Sequence, residues 1–449
     1  MSVNLSNEFV DDLYEMGRAG FPDSVVHQAK RCLLDYLGAT FAGAQMLKIK
    51  GKKVLSCFGQ ANDASVIGFD EKASTETAAF MNGLCAHVAE LDDGTRFGMI
   101  HPGSPVFSVL LPVAEKERVS GMDLIKGIVV GYEAEVRLAY AMQPSHYSRG
   151  FHPTSTCGTI GAAMGVAAML GFTKVEMKDA LSSAAVSSAG TLKVIEDGSE
   201  IKPLNVGRAA VNALLATVVA RAGFKGLEDV FSGDVGFFSM MADRYDAEKL
   251  SREVGEPFAV EKIYVKPYAA CRHAHPAIDA VLKIKAETGL SVESIKEIRV
   301  ITYRAVLGKH DYTEIKGGPS AKMSIPYGLA VAMVTGKAGI EQFDSEHVNN
   351  PEILSLTRKV VVSANDEITA LVPHQRAAII EVLTYAGDCY SERIDYPKGE
   401  PENPLSDDEL EEKFSSLACY GGKKANEIHE ITQVVWGLEK ELNNLFGLL

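Results

Sequence analysis

The chain has 449 residues, 46% hydrophobic and 23% charged, which is long enough for two or three domains of an ordinary globular protein. Its net charge of −14 argues against nucleic acid as a partner. The longest apolar stretch, 160–172, is too short to span a bilayer, and the acidic N-terminus lacks the apolar segment of a secretory signal. Seven cysteines without CxxC spacing predict reduced thiols and no metal cluster. We therefore expect a cytoplasmic protein with no nucleic-acid or membrane partner.

Helical periodicity dominates the first 256 residues. The predicted helices cover 21–44, 74–91, 105–118, 121–141, 158–170, 177–189, 207–222 and 243–254. The segments 158–170 and 177–189 are rich in glycine and alanine. We therefore expect these two helices to approach each other closely.

The pattern changes near Pro257, where strands begin to alternate with helices. Predicted strands cover 258–265, 294–303, 359–363 and 377–384, and predicted helices cover 276–288 and 324–335. A proline-rich segment follows, and helices return at 406–417 and 424–445. The sequence therefore predicts a mostly α protein, with a large all-helical domain of residues 1–256 and 400–449 and an inserted smaller α+β domain of residues 257–399.

Three of the eleven histidines directly precede a proline and open a helix-like segment: His101, His152 and His275. A residue before proline is pushed out of the α region, and proline is favoured in the first turn of a helix. Each imidazole should therefore lie at a helix N-terminus, where free N–H groups and the helix dipole attract anions. This position suits proton transfer on an anionic substrate.

Polar residues accompany two of these histidines. Asp92 and Asp93 lie upstream of His101, where they either orient the imidazole or form a solvated helix cap. Tyr147 and Arg149 precede His152. These two side chains suit acid–base work on a carboxylate, and a surface loop that caps the next helix is the alternative.

Two lysine-containing segments are candidates for anion binding. Lys202 lies where a helix is expected to begin, and its charge opposes the dipole there, so it either binds a carboxylate or forms a salt bridge. Residues 265–275 contain Lys266, Cys271, Arg272 and His275 at the junction of the predicted domains, where ligand sites are common. A small buried residue is the alternative for Cys271. No dinucleotide, Walker or nucleophilic-serine motif occurs, so no nucleotide cofactor is expected.

Together these segments resemble the MmgE/PrpD family, nearly from end to end. The resemblance is carried by LLDYLGATFAGA (33–44), NGLCAHVAELDD (82–93), HPGSPVFSVLLPVAE (101–115), GFHPTSTCGTIGAA (150–163), KPLNVGRAA (202–210), KPYAACRHAHPAIDA (266–280), MSIPYGLAVAM (323–333) and PKGEPENPLSDDELEEKF (397–414). It implies that the smaller α+β domain is a lid, that the protein is a homodimer, and that the enzyme uses no metal and no cofactor.

The resemblance also implies roles for matching residues. The predicted catalytic residues are Asp93, His101, Tyr147, His152 and His275, and the predicted substrate-binding residues are Lys202, Lys266, Cys271 and Arg272. In this scheme Asp93 polarises His101, and His152 or Tyr147 completes the acid–base pair. Cys271 departs from the family, because decarboxylase members carry a histidine near its position. Whether Cys271, His273 or His275 serves in the site stays open at this point.

The family includes 2-methylcitrate dehydratases, cis-aconitate decarboxylases and iminodisuccinate epimerases, which all make or quench carbanion character beside a carboxylate. We predict a cofactor-independent hydro-lyase of the 2-methylcitrate dehydratase type, acting on a small di- or tricarboxylate. An isomerase of the epimerase type, favoured by Tyr147 and by chain length, is the second hypothesis. A decarboxylase is the third, and Cys271 weakens it. A carboxylate-binding protein without catalysis is the non-enzymatic alternative.

Overall fold

The computed structural model describes residues 4–195, 199–251 and 256–449. These residues divide into two compact units. We call the first the helical unit, which holds residues 4–195, 201–251, 256–263 and 406–449. The second, the mixed unit, holds residues 199–200 and 264–405. The predicted mostly α class is confirmed, since helices greatly outnumber strands among the described residues.

The helical unit begins with eleven helices and one short hairpin. The helices are α1 (Leu5–Ala19), α2 (Asp23–Met46), α3 (Lys48–Leu55), α4 (Thr75–Val88), α5 (Gly103–Glu117), α6 (Gly121–Met142), α7 (Ser145–Ser148), α8 (Pro153–Met169), α9 (Lys174–Ser187), α10 (Lys202–Arg221) and α11 (Phe237–Met241). Strands β1 (Ala64–Val66) and β2 (Glu71–Ala73) form the antiparallel hairpin. The sequence had predicted that this domain is all-helical. The hairpin shows that this prediction is wrong.

The mixed unit combines one four-stranded sheet with six helices. Its elements are α12 (His275–Thr288), β3 (Ile295–Thr302), α13 (Gly318–Met323), α14 (Ile325–Thr335), α15 (Ser345–Val348), α16 (Pro351–Thr357), β4 (Val360–Ala364), α17 (Asp366–Ala370), β5 (Ala378–Thr384) and β6 (Cys389–Ile394). The strand order is β4-β3-β5-β6, and only the β3–β4 pair is parallel. Burial alternates along β5, so one face of the sheet lies in the core of this unit.

The chain then returns to the helical unit with α18 (Asp407–Tyr420), α19 (Ala425–Trp436) and α20 (Leu438–Leu445). The predicted helical segment 424–445 forms two helices, which meet at Gly437. Ser406 begins α18 with a capping box, in which its hydroxyl accepts from Glu409 N–H and the Glu409 carboxylate accepts from Ser406 N–H. This satisfies two backbone donors and explains the sharp start of α18.

Helix α8 forms the centre of the helical unit, because every residue from Pro153 to Met169 is buried. Its small residues allow a close approach to α6. A Cβ built on Gly165 would lie 2.7 Å from the main-chain oxygen of Gly127, and one on Gly161 would lie 2.8 Å from that of Gly131. Only glycine permits this separation. The packing fixes α8, and with it the position of His152 at its N-cap.

Two predicted elements were wrong. The predicted strand 258–265 contains a 3₁₀ turn, Ala259–Lys262, because the N–H of Phe258 donates to Glu261 and that of Ala259 donates to Glu133 rather than to a neighbouring strand. The predicted helix 243–254 shows only the 3₁₀ turn Ala247–Leu250, and its residues 252–254 lie outside the described residues. Strand β6, which the sequence analysis missed, pairs with β5 and is an edge strand of the sheet.

Within the described ranges, α10 is the single helix that is long and apolar enough to cross a membrane. Of its most apolar window, 61% is buried inside the protein, which is the behaviour of a core helix.

Candidate active site

Three imidazoles lie together in the helical unit, each brought there by a helix end. His87 lies in the last turn of α4, His101 precedes α5, and His152 is the N-cap of α8. The ring centroid of His87 is 5.2 Å from that of His101 and 5.7 Å from that of His152. The structure thus brings together two of the predicted histidines around a third that sequence reasoning missed. We call these three residues the imidazole cluster.

The hydrogen bonds of His101 fix its tautomer. Its Nδ1 lies 2.5 Å from the main-chain oxygen of Asp93, and its main-chain N–H donates to Thr154 Oγ1 at 3.2 Å. A carbonyl oxygen only accepts, so Nδ1 carries the proton and Nε2 of the neutral ring keeps its lone pair. The side chain is 17% exposed. His101 is therefore oriented as a proton acceptor.

The carboxylate near His101 is that of Asp92, and not that of Asp93 as the sequence had suggested. The carboxyl of Asp93 accepts from Gly103 N–H (3.0 Å) and from the Tyr132 hydroxyl (2.7 Å), so only its main chain meets His101. The carboxylate of Asp92 instead accepts from His87 Nδ1 (2.6 Å) and lies 3.7 Å from His101 Nδ1. The charge beside both imidazoles therefore comes from Asp92, which is 2% exposed.

Burial also affects the protonation of the Asp93 carboxyl. Burial raises the pKa of this carboxyl to about 8, although the hydrogen bonds from Tyr132 and Gly103 lower it. Near neutral pH the group therefore holds a proton, and it is not the anion that the predicted polarising role requires.

The shifted Asp93 pKa should make the free energy of unfolding depend on pH. Because the folded protein binds this proton more tightly than the unfolded chain, whose carboxyl titrates near 3.8, the contribution is complete below about pH 4 and is lost as pH rises towards 8. The Asp93→Asn variant cannot titrate at this position. The melting temperature of the variant minus that of the wild type should therefore become more positive as pH rises from 5 to 8. Circular dichroism in about four buffers measures both temperatures.

The exposed Asp63 supplies the matched control for this measurement, since its carboxylate lies at the surface beside Lys116. The Asp63→Asn variant should follow the wild-type curve. Parallel melting curves for wild type and Asp93→Asn would contradict the raised pKa.

His152 holds the opposite tautomer to His101. The amide nitrogen of Asn205 donates to the main-chain oxygen of Thr191 (3.3 Å) and lies 3.1 Å from His152 Nδ1. Because Thr191 oxygen fixes the amide orientation, Nδ1 of His152 is the acceptor, and the proton of the neutral ring is on Nε2. Burial, followed by the charges of His87 and Lys202, lowers the pKa of His152 well below its usual value. His152 is therefore a neutral hydrogen-bond donor.

His87 carries an unused nitrogen beside these two rings. Its Nδ1 bonds Asp92, and its Nε2 is buried without a hydrogen-bond partner among the described residues. A buried acceptor without a partner costs free energy unless a ligand or water satisfies it. The Nε2 atom of His87 is therefore a natural partner for a substrate hydroxyl. The only sequence signal was the five-residue spacing from His87 to Asp92.

Lys202 is the first residue of α10 and forms an ion pair with Glu90. The side chains are 15% and 10% exposed. Of the two alternatives for Lys202, the structure shows the salt bridge. Glu90 has φ of +58°, a left-handed conformation that a non-glycine residue rarely adopts outside special sites. Both charges also act on His152, which places the pair beside the imidazole cluster. A substrate carboxylate would compete with Glu90 for this lysine.

Removing the lysine should destabilise the fold, because Glu90 would keep a largely buried charge and lose the ion pair with Lys202. We expect Lys202→Met to lower the free energy of unfolding by about 2 kcal/mol, and the double variant with Glu90→Gln to recover most of this loss. Urea denaturation measures both values. Lys116→Met, which breaks an exposed pair with Asp63, should cost less than about 1 kcal/mol. A double variant no more stable than Lys202→Met would contradict the coupling.

The predicted site residues within 265–275 all belong to the mixed unit. Lys266 is buried, and Cys271 is partly exposed. Arg272 pairs with Glu400, and its Nη1 is buried with no hydrogen-bond partner among the described residues. His275 is fully buried at the start of α12, with Nε2 3.1 Å from the main-chain oxygen of Ala270. The unused donor of Arg272 is of the kind that binds a carboxylate.

Tyr147 lies half-buried on the short helix α7, and its catalytic role stays a prediction. The neighbouring His146 is structural, because its two nitrogens bond Met241 oxygen and the Thr156 hydroxyl. Arg149 is exposed and lies 3.5 Å from Asp243. Elsewhere in the helical unit, an open cavity of about 540 Å³ is lined by Phe58, Phe80 and Arg208 among others, and it contains none of the predicted site residues.

The imidazole cluster, with one ring set to accept a proton and one set to donate a hydrogen bond beside a lysine, has the chemistry of an acid–base enzyme for anionic substrates. The chain belongs to the MmgE/PrpD family: residues 13–250 match the MmgE/PrpD N-terminal domain, and residues 268–438 match the C-terminal domain.

Three relatives illustrate the range of this family. The chain is 26% identical to the cis-aconitate decarboxylase-like protein oryM of Aspergillus oryzae, over 92% of this chain and 90% of that protein. It is 27% identical to the cis-aconitate decarboxylase of Homo sapiens, over 93% of this chain and 88% of that protein. It is 27% identical to a probable 2-methylcitrate dehydratase of Saccharomyces cerevisiae, over 45% and 41%. At the level of the family, these relatives support a lyase-type enzyme.

Proposed function

We propose that the protein is a lyase that removes a proton beside a carboxylate of a small di- or tricarboxylate, and that its reaction is dehydration of a 2-methylcitrate-like substrate. The observation that carries the proposal is the pair of opposite tautomers in the imidazole cluster. His101 presents a lone pair on Nε2, and His152 presents a proton on Nε2. Loss of a proton beside a carboxylate needs both, because a base takes the proton while a donor stabilises the enolate-like oxygen.

Each side chain then has a chemical task. His101 Nε2 takes the proton, and the resulting imidazolium is stabilised by the Asp92 carboxylate 3.7 Å away. His152 donates its Nε2–H to the oxygen on which negative charge develops. Lys202 binds a substrate carboxylate, which replaces Glu90 as its ion-pair partner. One positioned acid or base supplies typically about 10²–10⁴-fold in rate, and a preorganised donor to the oxyanion supplies a similar factor.

Elimination also needs a proton for the leaving hydroxyl. The imidazolium of His101 can return the proton that it has taken, so the two histidines suffice without an external acid. His87 Nε2, buried and unpartnered among the described residues, would accept a hydrogen bond from a substrate hydroxyl and orient it. Arg272 and Lys266 of the mixed unit stay predicted carboxylate-binding residues, and the unused Nη1 of Arg272 is consistent with such a role.

Decarboxylation is the second candidate, because the relatives that match almost the whole chain are named cis-aconitate decarboxylases. It would use the same cluster, with His101 first taking a proton from water and then giving it to the carbanion that loss of CO₂ leaves. Epimerisation is the third candidate and would require a proton donor on the opposite face, for which Tyr147 is proposed. We also propose that the enzyme acts as a cytoplasmic homodimer.

One experiment separates these reactions. The protein is incubated in D₂O with citrate, 2-methylcitrate, cis-aconitate or iminodisuccinate, and the products are followed by NMR. We expect alkene signals from 2-methylcitrate or citrate. Itaconate from cis-aconitate would establish decarboxylation instead, and deuterium exchange without net product would establish epimerisation. Silence with all four substrates would overturn the proposal in favour of a binding protein. Protein carrying His101→Gln, purified in the same way, controls for contaminating enzymes.

A further inference from the structure

The segment 90–93 lies between α4 and α5 and supplies the hydrogen-bond acceptors for two rings of the imidazole cluster. The carboxylate of Asp92 is 2.6 Å from Nδ1 of His87. The main-chain oxygen of Asp93 is 2.5 Å from Nδ1 of His101. The placement of this segment therefore decides how both rings are oriented and which nitrogen of each ring carries a proton.

A lysine from the end of the chain holds this segment. Nζ of Lys413, on α18, donates to the main-chain oxygen of Leu91 at 2.9 Å, across 322 residues of sequence. The same ammonium forms an ion pair with Asp35 of α2. The lysine side chain is 9% exposed and that of Asp35 is 1% exposed. Both bonds are thus shielded from water, where a hydrogen bond from a charged donor is strong and its loss is costly.

Close packing of α18 on α2 fixes the position of Lys413. A Cβ built on Gly38 of α2 would lie 3.4 Å from atoms of both Phe414 and Leu417 of α18. Phe414, the next residue after the lysine, is 1% exposed. Because such contacts leave little room for movement, α18 presents the ammonium to the segment 90–93 from a rigid support.

The bond to Leu91 supplies position rather than charge. Lys413 and Asp35 together carry no net charge, and the peptide group between Leu91 and Asp92 is planar and rigid. A donor on the oxygen of this peptide therefore also orients the main chain of Asp92. The preceding residue, Glu90, has φ of +58°, and a conformation of this kind persists only where the surroundings hold it.

We propose that Lys413 is a positioning residue of the imidazole cluster. Its ammonium orients the peptide between Leu91 and Asp92, and this peptide sets the acceptors that His87 and His101 use. The effect on catalysis rests on the proposed function, in which His101 is the base. The sequence analysis had assigned no role to Lys413, because only the fold brings it near the segment 90–93.

The test compares two variants that both lack the charge of Asp35, since removing Lys413 alone would also take the ion pair from a buried carboxylate. Asp35→Asn keeps the bond from Lys413 to Leu91, and the double variant Asp35→Asn/Lys413→Met lacks it. We expect kcat of the double variant to be at least about 10-fold below that of Asp35→Asn, with KM changed by less than about threefold.

Nitrogen-15 NMR without substrate gives the second readout. The Nδ1–H signal of His101, assigned from its absence in His101→Gln, should keep its wild-type position in Asp35→Asn. It should shift or broaden in the double variant Asp35→Asn/Lys413→Met, because the oxygen that accepts this proton is no longer held in place.

Lys30 supplies the matched control, because it makes the same two kinds of bond elsewhere between α2 and the C-terminal helices. Its Nζ donates to the main-chain oxygen of Trp436 at 2.8 Å and lies 2.6 Å from the Glu439 carboxylate. The double variant Glu439→Gln/Lys30→Met should keep the kcat and the His101 signal of Glu439→Gln.

The proposal is overturned if the Asp35→Asn/Lys413→Met variant and Asp35→Asn give the same His101 signal, or if their kcat values agree within about threefold. Where circular dichroism shows that the methionine variant is unfolded, Lys413→Gln in the same background takes its place in both comparisons. The NMR comparison needs no substrate, so it decides the proposal even where no lyase activity is found. Failure of all four substrates would instead count against the proposed function alone.

Discussion

Replacing His101 by glutamine is expected to lower kcat by about 10²–10⁴-fold. Glutamine can still donate a hydrogen bond to the main-chain oxygen of Asp93, but it has no nitrogen that can take a proton at neutral pH. The loss should fall on kcat more than on KM, because the missing group acts in the transition state. Steady-state kinetics on the substrate identified by NMR measure this loss, and the rate of deuterium exchange beside the carboxylate measures the same step directly.

The control for His101→Gln is the same change at His347, a partly exposed histidine of α15 that pairs with Asp344. His347→Gln should keep full activity. The melting temperature of His101→Gln should stay close to that of the wild type, since glutamine can keep the hydrogen bond to the main-chain oxygen of Asp93. If kcat stays within about threefold of the wild-type value, His101 is not the base.

Much of the fold was predictable because local signals agreed with the packing. The helix of Thr75–Val88 begins where Ser74 supplies a side-chain cap, and His152-Pro153 opens α8 as expected of a residue before proline. The segment 258–265 has the alternating pattern of a strand, but the prediction was wrong. The N–H groups of Phe258 and Ala259 donate to glutamate side chains and not to a neighbouring strand. Glu133 is 126 residues away in the chain, and a local pattern carries no information about so distant a partner.

The site was predictable only in part, for a different physical reason. His101 and His152 were found because proline places them at helix ends, which is a local effect. His87 lies inside the last turn of α4, where a histidine has no distinctive neighbour pattern, and its importance comes from contacts with two other helices. The assignment of charge to Asp93 rather than Asp92 failed because adjacent side chains point to different surroundings, and the sequence does not say which one is buried against Tyr132.

The ion pair of Lys202 and Glu90 connects these observations. A lysine at a helix N-terminus is unfavourable for the helix, a left-handed Glu90 is strained, and both charges lie largely out of solvent. Such costs accumulate where function requires them. In the proposed reaction, Glu90 holds the lysine in position until a substrate carboxylate replaces it. The ion pair therefore adds no net charge beside His152 in the absence of substrate.

The choice of tautomer at His152 gives the second large prediction. Changing Asn205 to aspartate should lower kcat by about 10²-fold or more, because a carboxylate only accepts and draws a proton onto Nδ1 of His152. The neutral ring would then lose the Nε2–H that is proposed to stabilise the enolate-like oxygen, and the added negative charge should raise the pKa of His152. Nitrogen-15 NMR of the imidazole, recorded alongside kcat, reports which nitrogen carries the proton.

Asn212→Asp is the matched control, since Asn212 lies on the same helix and its amide donates to the main-chain oxygen of Ser187 away from the cluster. It should leave both kcat and the His152 spectrum unchanged. A purely structural role for Asn205 would lower the melting temperature without moving the imidazole proton, and a lost kcat with an unaltered Nε2–H signal would count against the donor assignment. The proton on Nε2 is therefore the feature on which the proposed mechanism depends most, and Asn205 is the residue that sets it.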